Sequence, residues 1–372
     1  MNEVAPHTAT QPRRALDPAS YTDPARYRQE LGAIFFRTWQ YACHISQVKR
    51  PGDYFSFEVG GQRLFVLRDR DGTLRCFHNV CNHRGHELVE GSGNKSVIVC
   101  PYHAWTYGLD GRLRKAPNDR KVVGFDRGAI CLTQAKVEIL CGFVFVNLDP
   151  DARPMAEWYP GVEVELREFV PEIGQLRPVQ TIEIDEPCNW KITVENYSEC
   201  YHCRIAHPTF SKGVIDPDSY NILPQGHCLR HTTRTAAGER MTYSYDPASN
   251  PHAADYSSWF LWPSFSFQVY PGNVLNTYLW RPTGVERTLV YRGWYGIDGV
   301  ESETVRKLAA QDLATTVAED VRIVTSVQRG LSSIGYRPGP LLIDPDLGVN
   351  SEHSIGILHD WLSEALAAQS EI

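Results

Sequence analysis

No run of apolar residues in the chain approaches the roughly eighteen that crossing a membrane requires, and the opening residues do not read as a charged stretch followed by an apolar leader. No basic block stands out either. The 37 Lys and Arg are outnumbered by 44 Asp and Glu, giving a net charge of −7, and the two signs are interspersed, so neither a membrane nor a nucleic acid is expected as a partner. Internal repeats are absent. Cysteine is present in number, at 10 residues; with no export signal these are expected to be reduced thiols or ligands in a cytoplasmic protein. The composition, 42% hydrophobic and 22% charged over 372 residues, is that of an ordinary globular protein long enough for two domains.

The chain is organised around Glu195-Asn196-Tyr197-Ser198-Glu199-Cys200-Tyr201-His202-Cys203-Arg204-Ile205-Ala206-His207-Pro208. Two imidazoles five positions apart, with acids just before them, suggest a metal site. A five-residue step turns a helical side chain by about 140°, so His202 and His207 do not share one regular helix face. They meet at one ion only if the helix ends between them, and Pro208 favours that by pushing the residue before it out of the helical region. By itself, such a spacing also occurs as two unrelated histidines on a surface helix.

A second cluster lies upstream. Cys81-Asn82-His83 and Cys100-Pro101-Tyr102-His103 offer two thiolates and two imidazoles, suited to a [2Fe–2S] centre in which one iron takes two cysteines and the other two histidines. A structural zinc with the same four ligands is the alternative, but zinc sites usually pair cysteine with cysteine and histidine with histidine along the chain, whereas here each half is mixed. Cys76 and His78 repeat the C-x-H spacing. Their flanks alternate as a strand does, so they are not taken as ligands.

Asn79-Val80-Cys81-Asn82-His83-Arg84-Gly85-His86, Cys100-Pro101-Tyr102-His103-Ala104-Trp105, Asn189-Trp190-Lys191 and the block around His202 together resemble the oxygenase (alpha) component of the Rieske non-haem iron oxygenases. The resemblance covers nearly the whole chain. Glu199-Cys200-Tyr201-His202-Cys203, with Glu319-Asp320-Val321 and Ser326-Val327-Gln328-Arg329-Gly330-Leu331 further on, is most similar to the branch acting on quaternary ammonium compounds such as carnitine, glycine betaine and proline betaine. Respiratory-type proteins with this cluster usually carry a disulfide between its loops, at positions where this chain has His86 and Tyr102.

The expected fold class is α+β. Residues 1–45 read as a mobile arm followed by a helix begun at Asp23-Pro24, whose apolar face carries Tyr27, Leu31, Ile34, Phe35 and Trp39. Residues 46–155 read as an all-β, barrel-like Rieske domain with hairpins at Asp71-Gly72 and Asp110-Gly111. Residues 156–372 read as a catalytic domain in which helices cover an antiparallel sheet, with strands over 229–233, 241–245, 265–270, 275–280 and 289–295 and helices over 301–331 and 353–366.

A ferrous ion that binds dioxygen beside a substrate needs open positions, so two histidines and one carboxylate are the useful set. Among Asp216, Asp312, Glu319 and Asp320, the residues alone do not choose the carboxylate; the resemblance implies Asp320 with His202 and His207. It implies that Glu199 is no ligand but hydrogen-bonds histidines of both centres, linking the cluster of one subunit to the iron of its neighbour in a homotrimer. It also implies a separate flavin/iron–sulfur reductase that supplies electrons from NAD(P)H, with O2 as co-substrate. Cys200 and Cys203 are expected as small buried residues that bind no iron. Oxygen placed on the carbon beside nitrogen gives a hemiaminal that releases formaldehyde; attack elsewhere in a carnitine-like substrate releases trimethylamine. Aromatic faces recognise such a cation, and the candidates are Trp259, Trp262, Phe265, Phe267 and Tyr270 in one stretch and Tyr201 beside the ligands. No partner for a betaine carboxylate is identified. Two rival readings are a ring-hydroxylating oxygenase acting on an aromatic acid and a non-catalytic metal-binding electron carrier.

Overall fold

A computed structural model describes residues 12–236 and 241–369. Residues 1–11 of the expected arm lie outside the described residues, but from Arg13 onward the chain is held rather than free. The Arg13 guanidinium donates to Asp360 at 2.7 and 2.9 Å, and Arg14 forms a bridge to Pro340. After a single turn α1 (Ala19–Thr22), helix α2 (Pro24–Glu30) starts where expected: the Asp23 side chain accepts from Ala25 N, and proline fills the first position. It runs on as a π turn over Leu31–Phe35, which buries Ile34 and Phe35.

Seven strands build the first sheet, in the order β1-β10-β9-β4-β3-β2-β5. They are β1 (Gln40–His44), β2 (Asp53–Val59), β3 (Gln62–Arg68), β4 (Leu74–His78), β5 (Ser92–Asn94), β9 (Gln134–Leu140) and β10 (Phe143–Asn147). The sheet thus begins at Gln40, ahead of residue 46. Three short strands, β6 (Ile98–Val99), β7 (Thr106–Tyr107) and β8 (Leu113–Lys115), make a separate small sheet beside it.

Past two helices, α3 (Met155–Trp158) and α4 (Val162–Phe169), a second seven-stranded sheet is antiparallel throughout, in the order β11-β17-β16-β15-β14-β13-β12. Its strands are β11 (Leu176–Glu186), β12 (Asn221–Gln225), β13 (Cys228–Arg234), β14 (Asp255–Leu261), β15 (Phe265–Tyr270), β16 (Val274–Gly284) and β17 (Arg287–Ile297). The strand expected at 241–245 does not form; β14 occupies that place in the order instead. Both faces of this sheet are buried, so β14 to β16 are nearly continuous in burial rather than alternating.

One face packs on the first domain, with Phe265 and Phe267 against Phe143 and Phe145 at ring distances of 4.7 to 6.3 Å. The other face is covered by α5 (Trp190–Ser198), by a helical run of α8 (Glu303–Asp312), a π turn over Leu313–Val317 and α9 (Ala318–Leu331), and by α10 (His353–Gln369). No helix among the described residues is long and apolar enough to cross a membrane.

Candidate active site

Two loops, one after β4 and one after β6, carry Cys81 with His83 and Cys100 with His103. Each closes on itself through its backbone. Cys81 N donates to His86 O at 2.8 Å and Gly85 N to Cys81 O at 2.9 Å, while Cys100 N donates to Trp105 O at 2.8 Å and Ala104 N to Cys100 O at 3.0 Å. Both turns need a left-handed residue, Gly85 at φ +74° and Ala104 at φ +58°.

The four donors then sort by element. The buried thiols of Cys81 and Cys100 lie beside each other, and the rings of His83 and His103 are 4.7 Å apart. The Tyr107 hydroxyl stands 3.2 Å from Cys81 Sγ. These four do not converge on one point as a tetrahedral zinc site requires; among the described residues the one group of three or more such donors that does so lies elsewhere. Two sulfurs on one side and two nitrogens on the other fit a [2Fe–2S] cluster, and the buried His103 Nδ1 has no hydrogen-bond partner. Cys76 and His78 are part of β4, with Cys76 buried in the core between the sheets.

The converging group is His202, His207 and Asp320. The chain brings the histidines together by breaking the helix. α5 ends at Ser198, and Glu199 is extended at φ −126°, ψ 170°. His202 caps the short α6 (Cys203–Ala206), and His207, at φ −118°, ψ 67°, stands between it and α7 (Pro208–Gly213), with Pro208 in the first helical position. The Nε2 atoms of the two histidines are 3.0 Å apart. Asp320 Oδ1 lies 3.0 Å from that of His207 and 3.8 Å from that of His202.

Carboxylates fix both rings from behind. Glu199 accepts from His202 Nδ1, and Glu319 accepts from His207 Nδ1 at 2.8 Å, so both Nε2 lone pairs face inward. A carboxylate behind a ligand histidine sets its tautomer and raises its basicity. Glu199 does not do this from a helix face, as its spacing suggests; it sits in the turn, where its other oxygen also accepts from the Tyr201 and His202 backbone. Negative charge is in excess here: burial would lower the His207 pKa, but Asp320 and Glu319 raise it to about 9. Asp320 Oδ1 is buried without a hydrogen-bond partner. Two imidazoles and a carboxylate that leave coordination positions open suit ferrous iron. Replacing Glu319 by glutamine is expected to weaken iron binding by about 10–100-fold, measured by iron titration of apoprotein that retains its cluster spectrum.

The other acids weighed as ligands are committed elsewhere. Asp312 pairs with Arg292 at 2.8 Å, both buried, and Asp216 caps the turn at Pro217–Ser219. Cys200 and Cys203 depart from expectation: they form a disulfide and are not free thiols. The turn that carries His202 brings their Cα atoms to 5.0 Å, within disulfide reach. Alkylation of the unfolded, metal-stripped, unreduced protein is expected to label the other eight cysteines and leave this pair unmodified.

A cleft opens from His202, His207 and Asp320 to the sheet face, walled by Phe210, Tyr220, Tyr256, Tyr270, Tyr278 and Gln268, with Asp312 and Thr316 beside Asp320. The π turn between α8 and α9 helps bring Asp312, Thr316 and Asp320 to one side of the helical run. Phe210, Tyr256 and Tyr270 form a triangle of rings separated by 5.4, 6.2 and 5.4 Å. No Lys or Arg lines this cleft among the described residues.

Of the substrate-contact candidates, only Tyr270 lines it. Trp259, Phe265 and Phe267 belong to the opposite face; Trp259 Nε1 donates to Glu165 at 2.8 Å. Trp262 packs between Trp190 and Trp361, and Tyr201 is 42% exposed on the turn. Phe265 and Phe267 do share a face, but alternation in β15 gives the iron side to Ser266, Gln268 and Tyr270. Tyr256, Phe210, Tyr278 and Gln268 were not among the expected site residues, and Glu319, weighed only as a rival ligand to Asp320, is found holding His207 Nδ1. Glu319 adjoins Asp320 in sequence; the others become readable only once the sheet face beside His202, His207 and Asp320 is known.

Comparisons with known proteins agree with this geometry. The Rieske [2Fe-2S] domain family matches residues 38–126, and the ring hydroxylating alpha subunit (catalytic domain) family matches residues 173–368. The carnitine monooxygenase oxygenase subunit of Acinetobacter baumannii is 35% identical over 348 residues, covering 92% of each chain. The chloroplastic choline monooxygenase of Beta vulgaris is 32% identical over 95% of this chain and 78% of its own. The crystal structure of the quaternary ammonium Rieske monooxygenase CntA with its substrate L-carnitine superposes with a TM-score of 0.84 at 33% identity, over 95% of this chain and 96% of that one. The chain therefore belongs to the Rieske non-haem iron oxygenases, as an oxygenase (alpha) component of the kind found in carnitine and choline monooxygenases, and is an oxidoreductase that incorporates molecular oxygen.

Proposed function

We propose that this protein mono-oxygenates a quaternary ammonium compound, with residues 46–155 carrying the cluster and 156–372 the mononuclear iron. Bound at their sites, the [2Fe–2S] cluster and Fe(II) supply stored electrons and the activation of O2. Cys81, His83, Cys100 and His103 hold the first; His202, His207 and Asp320 hold the second. Glu199 and Glu319 keep the two imidazoles aimed.

The observation that carries the substrate reading is the cleft: aromatic walls, carboxylates and no Lys or Arg in its lining among the described residues. A trimethylammonium group has no proton to donate, so a protein recognises it by ring faces and negative charge. Tyr256 and Tyr270 present such faces while their hydroxyls are bonded elsewhere, to Gln268 at 3.0 Å and Asp312 at 3.3 Å. Oxygen insertion on the carbon beside nitrogen would release formaldehyde, and insertion elsewhere in a carnitine-like substrate would release trimethylamine. An aromatic acid would bring its carboxylate into a cleft whose lining has no Lys or Arg among the described residues, the nearby Arg292 being held by Asp312 at 2.8 Å behind the wall.

The relatives support the wider arrangement. One is a structure of a quaternary ammonium Rieske monooxygenase described with inter-subunit electron transfer, and others are the oxygenase subunits of carnitine monooxygenase. On this reading the protein is a cytoplasmic homotrimer in which Glu199 bridges to a neighbouring cluster, served by a separate NAD(P)H-dependent reductase. Replacing Tyr256 by leucine is expected to raise KM for a quaternary ammonium substrate by about 5- to 30-fold, the value of about 1–2 kcal/mol for a desolvated cation over a ring, with a smaller change in kcat. An unchanged KM would contradict the assignment of this cleft to the cation.

A further inference from the structure

Glu186, the last residue of β11, is a buried acid that the site described above does not use. It is 5% exposed, and its Oε2 has no hydrogen-bond partner among the described residues. The other buried acids each face a cation: Glu30 has Lys191, Asp69 has Arg75 and Asp312 has Arg292. Glu186 makes no ion pair among the described residues. A carboxyl in that position avoids the cost of a buried charge by keeping its proton. Its pKa is raised to about 7, with burial as the largest cause; the Thr193 hydroxyl bonded to it opposes the rise, and Asp320, the smallest of the three influences, adds to it.

Glu186 and Asp320 line one cavity of about 20 Å³, room for a single water. Asn196, Tyr197, Tyr278 and Asp320 line both this cavity and the substrate cleft, so the cavity lies directly behind the cleft. Asn196 Nδ2 stands 3.5 Å from His202 Nε2, while Glu186 makes no hydrogen bond or ion pair with His202, His207 or Asp320. The titratable groups around Glu186 are Asp320 on α9, Cys188 just beyond β11, Tyr197 on α5 and Tyr278 on β16. Burial raises the pKa values of Cys188 and both tyrosines and keeps them neutral. No Lys, Arg or His lines the cavity among the described residues, and Arg292, 3.8 Å from the centre of the Tyr278 ring, is committed to Asp312.

Mono-oxygenation consumes one O2, two electrons and two protons: one oxygen atom enters a C–H bond and the other leaves as water. The reductase supplies the electrons, and the protons must reach a site with aromatic walls. We propose that Glu186 is a positioning residue for these protons, holding a water in the cavity beside Asp320 and passing protons through it to the oxygen atom that leaves as water. This rests on the reading of the chain as a mono-oxygenase with its iron at His202, His207 and Asp320. Each transfer leaves a Glu186 carboxylate, which regains its proton from solvent before the next.

The test uses the cluster- and iron-loaded full chain as wild type, Glu186→Gln, Glu186→Asp and Thr193→Val. Infrared spectra taken across neutral pH, with no substrate or electrons added, follow the C=O stretch of a protonated carboxyl. Expected is a band that wild type loses as pH rises through about 7 and that Glu186→Gln lacks. Thr193→Val should keep it to higher pH, because the carboxylate has lost a hydrogen bond. In turnover with carnitine or choline, wild-type kcat should fall over the same range. Glu186→Gln should lower kcat by about 100-fold on the acid side, with little change in KM and no dependence on pH across neutrality, and Glu186→Asp should restore part of both the rate and the slope. A wild type without such a band, or a Glu186→Gln protein with the wild-type band, kcat or slope, would overturn the proposal. So would loss of iron from Glu186→Gln, because Glu186 would then be part of the scaffold of the metal site. The same band and slope in a protein that oxidises benzoate alone, both lost in Glu186→Gln, would leave the proton path standing and sink the substrate reading instead.

Discussion

Replacing Asp320 by alanine is expected to strip the mononuclear iron and abolish substrate-dependent oxygen uptake while leaving the cluster's visible spectrum intact. Two imidazoles alone do not hold ferrous iron against water. In the proposed ligand set Asp320 Oδ1 is the third donor, 3.0 Å from His207 Nε2 and without a hydrogen-bond partner of its own. Its loss also removes one of the two carboxylates that raise the His207 pKa. The fall in iron affinity should exceed the roughly 10–100-fold set by an outer partner such as Glu319, and that ordering separates the two adjacent acids. If Glu319→Ala stripped the iron and Asp320→Ala kept it, the ligand assignment would be reversed. Iron content by mass spectrometry and oxygen uptake on the same preparations decide the matter.

Replacing Glu30 by alanine is expected to cost about 3–5 kcal/mol of stability, the usual penalty for leaving a buried charge unpaired. Glu30 closes α2 and is almost fully buried with Lys191 of α5. Lys191 Nζ donates to both Glu30 oxygens at 2.7 Å, and Trp190 Nε1 donates to one of them at 2.8 Å. Burial holds the Lys191 pKa down, and the Glu30 carboxylate is what most opposes this. Without Glu30, an ammonium group and an indole N–H remain in the core with nothing to accept from them. The double replacement of Glu30 by leucine and Lys191 by methionine should recover a large part of the loss, because the pair is costly to desolvate in the first place. Urea unfolding of the three proteins reads the difference. The pair ties the N-terminal helix to α5, the helix that leads into Glu199 and His202, so Glu30→Ala should loosen the iron site as well as the fold.

The grouping of the candidate metal donors was legible in the sequence because these residues are few, chemically distinctive and set by short spacings. His202 and His207 meet through a chain break that Pro208 announces, and the mixed C-x-H and C-x-x-H halves place thiol beside thiol and imidazole beside imidazole once the loops fold. The substrate cleft was not legible for an equally physical reason. Alternation in β15 says that Phe265 and Phe267 share a face and that Gln268 and Tyr270 share the other. It does not say which face the iron helices cover, and with both faces buried, hydrophobicity gives no hint. The strand β14 was missed because its residues are nearly all buried and lack a period, while 241–245, which alternates better, forms no strand. The disulfide was missed because C-x-x-C around a ligand histidine reads equally well as two inert small residues; only the turn geometry brings them together.

A Rieske oxygenase whose iron site faces a cleft built for a quaternary ammonium cation should reveal itself in its choice of substrate. Oxygen uptake by cluster- and iron-loaded protein is measured with a surrogate reductase and NADH, comparing carnitine, choline, glycine betaine and benzoate, with formaldehyde and trimethylamine assayed. Uptake coupled to product is expected with one or more of the quaternary ammonium compounds, and none with benzoate. Uptake and hydroxylation with benzoate alone would contradict it.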